Sequence, residues 1–311
     1  MKNPIFLLLL FVVTATFSQE NNNTTEEIEV NSLIKGTLFS PEKVTIKTKL
    51  VILIAGSGPT NRSGNSTVGG INNSLKFLAE GLAQNGIAVF SYDKRIFAQM
   101  IAKTLDEKKL SFEDFINDAK DVITYFKSQK KYSKIIIAGH SEGSLIGMVA
   151  ALNTADGYVS IAGAGRCIDE VLLEQIVKQS PKIKEAAQEG LASLKEGKTF
   201  ENKNPMLATL FRESVQPYMI SWIKYNPQVE IKKLTIPILL INGTKDIQVP
   251  ETDAELLHVA NPKSELKIIE NMNHIFKEIT VDEDNLKSYN NPKLPVIPEL
   301  INSITKFVKS I

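Results

Sequence analysis

The chain has 311 residues, with 36 Lys and Arg against 35 Asp and Glu, three histidines and one cysteine. That length accommodates one sizeable α/β domain with an insertion, or two small domains, and buries a full core with ease. The even charge balance, with no basic cluster beyond short lysine pairs, gives no footing for a nucleic-acid or polyanion partner and suits a small uncharged ligand, while the single Cys167 excludes an intramolecular disulfide.

Residues 1–18 combine Lys2, nine apolar residues at 5–13 and a Thr16-Phe17-Ser18 ending, which reads as a secretory signal peptide and predicts a secreted or periplasmic protein. Nine residues span about 14 Å as a helix against a ~30 Å bilayer core, so no stable membrane insertion is expected. Residues 19–33, ENNNTTEEIEVN and its flanks, are too polar to fold alone and read as a flexible lead-in. The domain is expected over 34–311, opening with three successive strands in IKGTLFSP, KVTIKT and LVILIA. The third runs straight into GSGPTNRSGN at 56–65, a loop whose Gly56 and Gly58 could turn the amide of Ser57 towards a site.

A helix at 74–86 and a strand at 87–93 follow, as a right-handed crossover requires. Residues 94–110 are Lys-rich and non-periodic, which suits a surface loop with a short helix. The next helix, 111–129, carries Ser111 as N-cap with Asp114 three residues on, and Phe115, Ala119, Val122 and Phe126 along one stripe. It leads into KIIIAGHSEGSLIGMVAA at 134–151, an apolar strand that turns on Gly139-His140-Ser141-Glu142-Gly143 into a helix. The pattern G-x-S-x-G at such a turn is a nucleophile elbow: glycines at 139 and 143 tolerate a turn too tight for Cβ atoms, and the strain exposes the Ser141 hydroxyl.

After a strand at 157–165 the alternation stops. Residues 166–230 read as a helical cap, with helices at about 168–179, 182–196 and 206–225, the last bent near Pro217. Phe211, Met219, Trp222 and Tyr225 lie in it, and packing within the cap accounts for each better than a role in the site. Alternation resumes with a strand at 236–243, a loop carrying Asp246, a helix at 252–261 carrying His258, a strand at 264–270, a loop ending at His274 and a final helix at 298–310. The fold class is α/β, a mostly parallel sheet flanked by helices.

Elimination among the histidines singles out a base. The side chain of His140, inside the elbow, would point away from the Ser141 Oγ, and His258 is an ordinary helical residue. His274 stands in a loop at the carboxyl edge, where α/β sheets carry their ligand sites. Asp246 is the preferred acid, because Asp253 and Glu251 fall in the first turn of a helix, where acids cap without catalytic purpose. The amide of Glu142, at the start of the elbow helix, would join that of Ser57 in holding an oxyanion.

The segments GTLFSP, LIAGSGPTNR, GIAVFSYDKR, GHSEG, SVQPYMISW, PILLINGTKDIQVP and MNHIFK together resemble the α/β-hydrolase superfamily, and within it esterases related to serine aminopeptidase-like hydrolases, over residues 34–311. That resemblance implies carboxylesterase chemistry with Ser141 as nucleophile, Asp246 and His274 as its partners, the amides of Ser57 and Glu142 as oxyanion hole, a small ester as substrate, and no metal or organic cofactor. The chain departs from the family pattern where Asn61 and Ser63 replace two loop acids and where Ile96, rather than glycine, follows YDKR. An aminopeptidase or amidase using the same triad is the alternative enzyme, and a non-catalytic binding protein on this fold is the alternative of another class.

Overall fold

The computed structural model describes residues 24–67 and 69–311; the expected signal peptide lies outside them. Among the described residues one sheet of eight strands forms the centre: β1 Thr24–Asn31, β2 Ile34–Ser40, β3 Leu50–Ile54, β4 Ala88–Tyr92, β5 Ile135–His140, β6 Gly157–Ile161, β7 Ile238–Gly243 and β8 Glu265–Ile269. Their spatial order is β1-β2-β4-β3-β5-β6-β7-β8, with β1 and β2 antiparallel to their neighbours and the pairs from β4 to β8 parallel. The inner strands are runs of Ile, Leu and Val because both their faces are covered. In β3, Leu50, Ile52 and Ile54 enter one core while Val51 and Leu53 enter the other; β5 splits Ile135 and Ile137 from Ile136 and Ala138 in the same way.

Helices cover both faces. They are α1 Ser74–Gln84, α2 Arg95–Ile101, α3 Phe112–Gln129, α4 Glu142–Ala151, α5 Ile168–Gln179, α6 Lys184–Lys195, α7 Ala208–Phe211, α8 Gln216–Ile223, α9 Pro227–Ile231, α10 Glu251–Ala260, α11 Asn285–Ser288 and α12 Pro298–Ser310. The chain leaves β3 for β4 on one side and later returns to lay β5 on the other. The carboxyl ends of β3 and β5 therefore flank the crevice where open α/β sheets bind ligands. Helices α5 to α9 stand between β6 and β7, in the span expected to form a cap.

Three expectations need correction. Residues 24–31 are not a flexible lead-in but edge strand β1, paired antiparallel with β2 from Thr24↔Ser40 to Asn31↔Ile34 with a register shift between Glu29 and Asn31. Its charged residues Glu26, Glu27 and Glu29 suit an edge that must not recruit another chain. KVTIKT forms no strand: Ile46 is 82% exposed, and Thr48 N–H and Thr45 N–H bond back to the Thr45 carbonyl and the Thr48 hydroxyl, closing a local turn instead. The 206–225 helix is not bent at Pro217. It is broken at 212–215, and Pro217 sits in the first turn of α8, where its missing N–H costs nothing.

Candidate active site

The elbow has the geometry its composition demands. Ser141, between β5 and α4, adopts φ 54° and ψ −119°. A Cβ on Gly139 would lie 2.1 Å from the Gly143 carbonyl oxygen, and one on Gly143 would lie 2.4 Å from that of Ile54, so neither position admits a side chain. Ser141 stays partly accessible while residues 142–148 are buried. Gly56, the second residue after β3, presses against this turn: its missing Cβ would lie 3.3 Å from Ser141 Cβ and 3.2 Å from His140 Nδ1.

On the other side, the loops after β7 and β8 bring Asp246 and His274 together. Both side chains are buried, and His274 Nδ1 is 2.7 Å from Asp246 Oδ2. The other carboxylate oxygen accepts the amides of Gln248 at 2.8 Å and Val249 at 2.9 Å. An ionised carboxylate can only accept, so Nδ1–H donates to Asp246, and in the neutral imidazole this leaves Nε2 as the acceptor.

His140 links the two halves. Its Nε2 donates to the His274 carbonyl at 2.9 Å and its ring centroid is 4.8 Å from that of His274. Burial first, then the neighbouring His274 and Lys94, hold its pKa well below the ordinary 6.5. His258 stands apart, bonded to the Ser264 hydroxyl at 3.0 Å. Asp253 serves Arg166, accepting its guanidinium at 2.7 Å and the Gly165 amide at 2.9 Å.

Residues 94–110 were expected to form a surface loop with a short helix, yet the first of them, Lys94, is buried. The segment Asp93-Lys94-Arg95 directly follows β4, and each member binds a different element. Asp93 accepts Arg62 through its Nε at 3.0 Å, its Nη2 at 2.8 Å and its amide at 2.8 Å. Arg95 grips Asp118 with two nitrogens and Asp114 with a third, fixing α3. Lys94, 4% exposed, donates to the Gly56 carbonyl and to Glu142 Oε2, both at 2.5 Å, and lies 5.4 Å from the Phe115 ring centroid. Tyr218 from α8 donates to Glu142 Oε1 at 2.6 Å; burial and that carboxylate push its phenol pKa well up. The detectable signal was three consecutive charges at the end of a largely apolar strand, where solvation alone explains charge poorly.

In the loop itself, Asn61 Oδ1 accepts the amides of Ser63 at 2.9 Å and Asn65 at 3.1 Å, an Asx turn that the replaced acid would also make. Of the cap residues singled out, Phe211 packs on Phe200, and Trp222 and Tyr225 pack on Phe112, at centroid distances of 5.3, 5.5 and 5.3 Å respectively. Met219 is buried in the same core. Cys167, Asp169 and Glu170 cluster at the start of α5, but the Lys195 ammonium already occupies Asp169 Oδ2 at 2.7 Å.

Comparison with known proteins gives a consistent picture. The profile of the serine aminopeptidase (S33) family matches residues 70–219. Esterase EstD of Thermotoga maritima is 32% identical over 270 residues, covering 80% of this chain and 59% of that protein, so the chain spans about three-fifths of this relative's length. Est1E from Butyrivibrio proteoclasticus superposes with a TM-score of 0.59 at 16% identity, over 92% of this chain and 98% of its own. An esterase from Pyrococcus furiosus gives 0.56 at 16% identity, over 96% of each chain. A puromycin-hydrolysing peptidase of Mycobacterium tuberculosis gives 0.59 at 13% identity, over 96% of this chain but 40% of that one.

Proposed function

The chain has the fold of the α/β-hydrolases, and from that premise we propose that it is a serine hydrolase of carboxylic esters, with Ser141 as nucleophile, His274 as general base and Asp246 as its orienting acid. The observation that carries this reading is the buried 2.7 Å contact between His274 Nδ1 and Asp246 Oδ2 beside an elbow whose serine holds a positive φ. The similarity to Esterase EstD favours esters over amides.

In the proposed reaction the Ser141 hydroxyl attacks the ester carbonyl carbon as His274 Nε2 takes its proton. The imidazolium that forms is stabilised by Asp246, which keeps its negative charge. The carbonyl oxygen becomes an oxyanion that accepts the amides of Ser57 and Glu142. Glu142 is the first residue of α4, so its N–H has no partner within the helix. Collapse of the tetrahedral intermediate breaks the C–O bond, and the alcohol leaves with the proton from His274. Water then attacks the acyl-enzyme, its proton passing to His274 and on to Ser141 as the acid departs.

Ser141→Ala is expected to cut p-nitrophenyl acetate or butyrate turnover by at least about 10³-fold with an unchanged circular dichroism spectrum. Retained turnover would rule out this reading. Aminoacyl nitroanilides assayed beside nitrophenyl esters separate an esterase from an aminopeptidase, which would favour the anilides.

A further inference from the structure

Lys94 is a buried ammonium whose two hydrogen bonds lead to the two segments from which the proposed oxyanion donors are drawn. One is the carbonyl of Gly56 and the other is the carboxylate of Glu142, with the Phe115 ring on a third side. The Gly56 carbonyl belongs to the same peptide unit as the Ser57 N–H. No cis peptide occurs among the described residues, so that unit is trans and its N–H points opposite to the oxygen that Lys94 holds. Gly56 itself abuts Ser141, as the 3.3 Å approach of its Cβ position requires. An ammonium fixed on the carbonyl end therefore aims the amide end and polarises it towards a developing negative charge. Through Glu142 the same ammonium holds the first residue of α4.

We propose that Lys94 is the positioning residue of the oxyanion hole, clamping the Gly56–Ser57 peptide and the Glu142 side chain into one rigid unit so that both amides point at one place. This rests on the function proposed above. A flexible loop of glycines could otherwise rotate this peptide and present its carbonyl instead of its amide, at which point the hole would be lost. The lysine is assigned no substrate-level chemistry of its own, since it is buried and its two hydrogen bonds go to Gly56 and Glu142 while the Phe115 ring faces a third side. Its contribution is expected to appear only where oxyanion charge exists, in the transition state and in tetrahedral adducts.

Lys94→Met alone strands the buried Glu142 carboxylate and can fail to fold, so the decisive variant is Lys94→Met combined with Glu142→Gln, compared with Glu142→Gln alone. The double variant is expected to fold, by circular dichroism and thermal midpoint. Relative to Glu142→Gln it should lose about 10²-fold in kcat on p-nitrophenyl butyrate with KM within about threefold. Its affinity for a trifluoromethyl ketone, which forms a tetrahedral oxyanion on the serine, should fall in parallel. A folded double variant whose kcat and ketone affinity stay within about threefold of Glu142→Gln, or whose loss lies in KM alone, overturns the proposal. Failure of the underlying functional reading shows itself separately, as a wild-type protein without Ser141-dependent ester turnover.

Discussion

His140 shows what a single residue can do without touching the reacting atoms. As the variable position of G-x-S-x-G it carried no sequence signal beyond pointing away from Ser141, yet its Nε2 bond to the His274 carbonyl ties the elbow to the loop that holds the candidate base. His140→Phe would leave that buried carbonyl unsatisfied, a loss of about 1–3 kcal/mol in stability. It should also change the pH dependence in a defined way. Folded, His140 stays neutral because burial, His274 and Lys94 depress its pKa; unfolded, it titrates near 6.5. Below that value the unfolded state binds a proton the folded state refuses, so wild-type stability falls with pH from about 6.5 downwards. Urea midpoints between pH 5 and 7.5 should show a shallower slope for the Phe variant, by up to one proton; identical slopes would mean that His140 is protonated in the fold. By contrast, the meeting of Asp246 and His274 could be expected from the sequence, because both stand in loops past the carboxyl ends of neighbouring parallel strands.

Among the elements, those with chemical punctuation were read accurately and those without it were not. The helix from 111 was marked by Ser111 and Asp114, and α3 closes a full capping box: Ser111 Oγ accepts the Asp114 amide at 3.2 Å and Asp114 Oδ2 accepts the Ser111 amide at 2.8 Å. Ser111→Ala should therefore cost about 1 kcal/mol in chemical denaturation while leaving ester turnover unchanged, since the side-chain hydrogen bonds of Ser111 close only the first turn of α3. A much larger loss, or a loss of turnover, would mean that α3 is held by its first turn rather than by Phe115, Ala119 and Val122 in the core. Strand β1 was missed for the opposite reason. Its Glu27-Ile28-Glu29-Val30 does alternate, but the neighbours Thr24, Thr25 and Glu26 lowered its hydrophobicity below what an isolated strand needs, and only pairing with β2 makes it one. KVTIKT erred in reverse: alternation was present, but two threonine hydroxyls offered the backbone a cheaper turn. The interruption before Pro217 had a legible reason, since proline favours a first turn over a helix interior, and a bend was the less economical reading.

At the scale of the whole molecule the site is the point where separate strand ends are tied together. The order Ser141, Asp246, His274 follows from the sheet, because β5, β7 and β8 all lie on one side of β3 with parallel carboxyl ends; that much periodicity and topology rules can deliver. The ties between those ends are side-chain pairings over long sequence separations, which no local pattern encodes. Arg62 carries the ties out to the edge of the sheet: from the loop after β3 it grips Asp93 after β4 and Glu27 on edge strand β1. The Arg62 and Asp93 side chains are only 19% and 23% exposed, so their pairing, with two guanidinium nitrogens on one carboxylate oxygen, is screened far less than a surface ion pair. Arg62→Ala would cut the loop from both strands and leave Asp93 half-buried without its cation, a loss of about 2 kcal/mol. At roughly 2–4 °C per kcal/mol for domains somewhat smaller than this one, the thermal midpoint should drop by about 4–8 °C. Ester turnover should fall as well, because the same loop carries Gly56 and Ser57, whose peptide must hold its aim. Calorimetry and nitrophenyl-ester kinetics on one preparation test both consequences. A lowered midpoint with undiminished kcat would show that Lys94 suffices to hold the Gly56–Ser57 peptide and that Arg62 secures only the edge of the sheet.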